Sequence, residues 1–81
     1  MNLKTEDLPP IAEKTVRKVL GENETKHPTS PWKEQSIGEH IHHAVVHLIC
    51  FDYEMARSED HLANALTRIT MAIAVRGEGD K

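Results

Sequence analysis

From Ser36 to Arg76 the apolar residues return at helical spacing, and nowhere in the chain do they alternate as a half-buried strand requires. Ile37, Ile41, Ala44, Leu48, Phe51 and Met55 share one face of a helix, which is core spacing. Leu62, Leu66, Ile69 and Ile73 do the same on a second helix. Each run opens on a start signal. Ser36-Ile37-Gly38-Glu39 is a capping box, and Ser58-Glu59-Asp60 sets an N-cap before an acidic first turn. Gly77 stops the second run after Arg76. A shorter helix comes first: Asp7-Leu8-Pro9-Pro10 starts it, Ile11, Val16, Val19 and Leu20 line its apolar side, and Gly21 caps its end. The predicted elements are helix 1 over about 9–20, a loop over 21–35, helix 2 over about 36–57 and helix 3 over about 59–76. The one or two residues between helices 2 and 3 force an antiparallel helical hairpin.

This is an all-α chain of one domain, residues 1–81, and it is small. A chain this short buries only about 60% of its unfolded surface, so a lone copy is marginal. One cysteine, Cys50, excludes an internal disulfide and a cysteine-built zinc site, and it fits a reducing cytosol. Oligomerisation is then the way to complete the core. Val46 and Cys50 on helix 2, with Met71 and Val75 on helix 3, are expected on the faces away from the hairpin seam, where partners would pack. A net charge of −3 argues against binding duplex nucleic acid, which needs a basic stripe. The N-terminus has no apolar signal-peptide core, and no run nears the length of a membrane span, so a cytoplasmic protein without membrane contact is expected.

The groups able to carry chemistry gather on helices 2 and 3. His40, His43 and His47 are spaced i, i+3, i+7 and form one stripe, which Glu54 continues. His61 and Arg68, seven apart, lie on one flank of helix 3. An antiparallel hairpin brings the His47–Glu54 end of helix 2 near His61, so the two flanks can converge on one groove. Imidazoles there suit a transition metal and carboxylates suit Mg²⁺ or Mn²⁺; the alternative is a solvated stripe of locally paired side chains. Asp52 falls on the apolar side. Either it holds a cation or a basic side chain, or the helix ends earlier. Trp32 is either a lid on the hairpin core or a base-stacking platform, and Lys26 is either a phosphate contact or a solvated loop lysine.

The order of several short pieces resembles a known family. Leu8-Pro9-Pro10 is followed by Val16…Val19-Leu20-Gly21, by Lys26-His27 with Trp32, by Ala44…His47-Leu48, and by His61-Leu62-Ala63-Asn64-Ala65. Over residues 8–66 this is similar to the N-terminal domain of phage dATP/dGTP diphosphohydrolases. Their pattern runs Val-x-x-Val-Leu-x-x-Gly, Lys-Tyr-x₄-Trp, Arg-His-Leu, Gly-Glu and His-Leu-Ala-His-Ala. The resemblance implies an all-α enzyme that uses Mg²⁺ or Mn²⁺ to convert a deoxynucleoside triphosphate to monophosphate and pyrophosphate. Carried over, it makes His47 and His61 the catalytic histidines, Lys26 and Trp32 nucleotide contacts, and Glu54, Glu59 and Asp60 the metal carboxylates. Asn64 stands where the family has His, His27 where it has Tyr, and the acidic segment between His47 and His61 is shorter. A looser resemblance is to small phage proteins that sequester cyclic nucleotides against host defence. It rests on Met71-Ala72-Ile73-Ala74-Val75-Arg76-Gly77. It implies a sponge without a metal cofactor, with Arg68, Arg76, Lys26 and Trp32 as its nucleotide contacts at a subunit interface. The looser resemblance implies a homo-oligomer, as the thin core does, and both imply a nucleotide ligand.

Overall fold

In a computed structural model the chain is described over residues 2–26 and 32–78, with Lys26 described through its backbone alone. It is all-helical. A single 3₁₀ turn, Thr5–Asp7, leads into α1 (Leu8–Lys26); a second, Trp32–Glu34, leads into α2 (Ile37–Asp52); and α3 (His61–Gly77) follows. Among the described residues there is no strand and no helix long and apolar enough to cross a membrane.

α2 starts on its sequence signal, whereas α3 starts two residues later than expected, capped by Asp60 in place of Ser58 and without an acidic first turn. At α2 the Ser36 hydroxyl accepts the Glu39 N–H at 3.1 Å and the Glu39 carboxylate accepts the Ser36 N–H at 3.0 Å. Two orphan donors of the first turn are thereby satisfied. The Asp60 side chain caps α3 by accepting the Ala63 N–H at 3.1 Å.

The ends differ from expectation. α1 runs through Gly21 to Lys26. A helical glycine costs about 1 kcal/mol relative to alanine but does not break a helix. The chain meets no proline until Pro28, which itself lies outside the described residues. α2 stops at Asp52, not near Arg57, and residues 53–60 form a loop in place of the expected tight turn. Glu54 takes a left-handed conformation (φ 55°), the Met55 N–H donates to Cys50 O at 2.8 Å, and the Glu54 N–H donates to Phe51 O at 3.2 Å. This is a Schellman ending built without glycine, so composition gave no sign of it. Of the two readings of Asp52, the earlier helix end holds: Asp52 is the last helical residue and is exposed.

α3 is the central element and packs against both α2 and α1. His47 of α2 touches His61, while His40, two turns earlier, touches Arg68, so the touching pairs run in opposite order along the two helices. The core is thin and made of small residues: Val19, Ala44, Ala63, Ala65, Met71 and Ala72 are buried, together with His40, His61 and Thr67. This overturns the expected facing of the helices. Ile41, Leu48, Phe51 and Met55, and Leu62, Ile69 and Ile73, are exposed, and Met71 is buried although it was expected on the back. The helices meet instead through alanine and histidine, which permit close approach. The larger aliphatic side chains are left outside.

Candidate metal centre

The loop after α2 and the first turn of α3 assemble the site. Glu54 and Ala56 both have positive φ, 55° and 47°, and the turn between them points two carbonyl groups at the buried His61 ring. His61 Nε2 lies 2.8 Å from Met55 O and 2.9 Å from Ala56 O. Carbonyl oxygens only accept, so this nitrogen carries the hydrogen and donates to both. In the neutral ring Nδ1 of His61 then keeps its lone pair, and it faces Nδ1 of His47 at 3.0 Å, where it accepts the His47 Nδ1–H.

Glu59 completes a group of three. One ligand atom from each of His47, Glu59 and His61 lies within 4.8 Å of the other two. Two nitrogens bound tetrahedrally to one ion at about 2.0 Å stand about 3.3 Å apart, close to the spacing found here. The backbone carbonyls behind His61 fix its tautomer and aim its ring, as the outer shell of a metal-bound histidine does. Burial pushes the His47 imidazole below its usual pKa, and His61 adds to this, while Glu59 opposes it. A ring held neutral is the form that binds metal.

His47 and Glu59 line a cleft of about 410 Å³ between α1 and α3, while His61 lines a second hollow that Glu59 also borders. Lys18, Asn64 and Arg68 also line the cleft. Arg68 is partly committed elsewhere. Its Nη1 donates to Gln35 Oε1 at 2.6 Å and to His40 Nδ1 at 3.1 Å. His40, with no solvent exposure, in turn donates from Nε2 to Trp32 O at 2.9 Å. This chain of bonds ties the turn before α2 to the middle of α3. Burial draws the Arg68 guanidinium below its usual pKa, although it stays charged.

The residues expected from sequence are thus placed as follows. His47, His61 and Glu59 come together, the two histidines as candidate ligands alongside the carboxylate. Asp60 lines the cleft, but one oxygen of its carboxylate caps α3. Glu54 is not one of the group of three and does not line the cleft; it lines the second hollow, which also takes in Glu59, Asp60 and His61. Trp32 is half-buried with its ring edge toward His40, the ring centroids 6.4 Å apart, and so covers one end of the helix pair. Arg76 is exposed on the last turn of α3. Lys26 ends α1, and its side chain, like all of His27, lies outside what is described.

Sequence reasoning missed Lys18 and Gln35, and it placed His40 in the polar stripe without a partner. No local pattern marks Gln35. His40 shares the stripe of His47, and that stripe, rather than the aliphatic one beside it, faces α3. In comparisons with known proteins, the chain matches no family model, no curated protein and no solved structure.

Proposed function

We propose that the chain binds a divalent transition metal through His47, Glu59 and His61 and uses it on the phosphates of a nucleotide. The observation that carries this reading is the 3.0 Å approach of two imidazole nitrogens, one held in a fixed tautomer, with a carboxylate beside them. Two imidazoles favour Zn²⁺ or Mn²⁺ over Mg²⁺, which prefers oxygen donors. Such an ion polarises a phosphate oxygen and lowers the pKa of a bound water. The cleft is in the range of small-ligand sites, about 300–1,000 Å³, and Lys18 and Arg68 supply positive charge along it.

The reaction in this reading is the one the first resemblance implies: a deoxynucleoside triphosphate and water give monophosphate and pyrophosphate. The protein is then a phage-type helical hairpin completed by association with further copies, at work in the cytoplasm of an infected bacterium. A second reading has one observation in its favour. Only Glu59 joins the histidines: Asp60 is engaged as a cap, and Glu54 is not within ligand distance of the group. A pyrophosphohydrolase uses several carboxylates, so a single one favours a protein that holds a nucleotide without turning it over. In that reading Arg76 and Trp32 are contacts supplied at a subunit interface.

The test is incubation of the protein with each dNTP and Zn²⁺ or Mn²⁺, followed by anion-exchange chromatography. Monophosphate and pyrophosphate are expected from the wild type and not from Glu59→Gln. If no dNTP is cleaved with either metal, the enzyme reading fails. Thermal stabilisation by nucleotides, including cyclic di- and trinucleotides, then decides for the second reading, and a flat response overturns both.

A further inference from the structure

α2 and α3 expose two aliphatic stripes. Ile41, Val45 and Leu48 are spaced i, i+4, i+7 on α2, and Leu62, Ile69 and Ile73 are spaced i, i+7, i+11 on α3. These six residues are each between 38% and 53% exposed. Each stripe is rotated by about a quarter turn, in the same sense, from the flank through which its helix meets the other: His40, Ala44 and His47 on α2, His61, Ala65 and Arg68 on α3. Because the helices run in opposite directions, equal rotations turn both stripes to one side of the pair. The second buried flank of α3, formed by Ala63, Thr67 and Met71, faces α1 on the other side. The two stripes therefore make one continuous apolar face that nothing in the chain covers among the described residues.

We infer that this face receives the same face of a second copy, giving a four-helix core with a two-fold axis lying across the helices. The inference rests on the reading of the chain as a homo-oligomer and is independent of the metal chemistry. Three observations select a second copy. The face is self-complementary in kind: aliphatic residues only, without a protruding aromatic or a pocket. The six side chains offer on the order of 500 Å² of apolar surface, which matches the apolar share of a standard interface of about 800 Å² per partner. Charge fixes the direction. Asp52 continues the α2 stripe at the end where His47 meets His61, and Arg76 continues the α3 stripe at the opposite end. Neither is in an ion pair among the described residues. An axis across the helices sets the Asp52 end of one copy against the Arg76 end of the other. An axis along the helices would gather like charges at each end.

Sedimentation equilibrium at micromolar concentration tests this. The wild type should have the mass of two chains, and Ile69→Glu and Leu48→Glu that of one, with helical circular dichroism retained. Ile11→Glu, exposed on α1 outside the face, should keep the mass of two. Asp52→Arg should weaken association at least tenfold, and adding Arg76→Asp to it should restore the wild-type value. A single-chain wild type overturns both the face and the homo-oligomer reading. An assembled wild type that keeps its mass in both face variants overturns this face alone. Failure of the double charge reversal to restore association overturns the direction of the axis.

Discussion

Glu54 and Ala56 show how much rests on single backbone torsions. A side-chain-bearing residue in the left-handed region costs about 1–2 kcal/mol relative to ordinary helical geometry, and the chain places two of them within three positions. In return, the carbonyls of residues 55 and 56 converge on His61 Nε2 and set which nitrogen of that ring is free. Strain of this kind persists where surrounding structure holds it. Glycine removes the cost without changing the path of the chain. Glu54→Gly should therefore raise stability by about 1 kcal/mol, read as a higher urea midpoint with an unchanged slope. The same variant separates two roles for this residue. The family resemblance makes Glu54 a metal carboxylate, whereas its absence from the group of His47, Glu59 and His61 predicts that thermal stabilisation by Zn²⁺ is the same in Glu54→Gly as in the wild type. Loss of that stabilisation would return Glu54 to the site.

At the scale of elements, start signals were legible and stop signals were not. Ser36 and Glu39 form the capping box that their spacing announces, and Asp60 caps α3 from within the acidic segment read as its start. Caps use short polar side chains at fixed offsets, so they can be seen in sequence. The end of α2 uses a left-handed glutamate, which looks like any other glutamate. The facing of the helices was illegible for a different reason. A wheel shows that aliphatic residues share a stripe, but not whether the stripe packs inside one copy. The smaller Ala and His residues beside it give a closer fit, and they took the seam. The pairing of His47 with His61 was legible because it follows from helix direction alone. The capping box also gives α2 a pH dependence. The Ser36 N–H holds the Glu39 carboxyl below its usual pKa. A carboxyl whose folded pKa is depressed lends stability that is complete above its unfolded value, near 4.5, and is lost as pH falls through the lower folded value. Acid unfolding followed by circular dichroism should accordingly show a smaller stability loss in that window for Glu39→Gln than for the wild type.

At the scale of the whole molecule, the pairing of α2 with α3 is polar at its ends and small in its middle. His40, bonded to Trp32 O and Arg68, holds one end; His61, bonded to the loop carbonyls and His47, holds the other. Between them Ala44 and Ala65 fill the seam, with almost no exposure. A larger side chain has nowhere to go. Ala65→Leu should cost about 1–3 kcal/mol by forcing the helices apart, and chemical denaturation measures it directly. Because alanine closes the seam along its length, no ligand can lodge between the two helices. The chain's cleft opens on the side of α1, and the aliphatic face lies on the opposite side of the helix pair. In the metal reading the two tasks, binding and assembly, then have no shared residues to trade against each other. A mixed assembly of one copy lacking the Glu59 carboxylate and one intact copy would keep a complete cleft in the intact copy, working at its full individual rate.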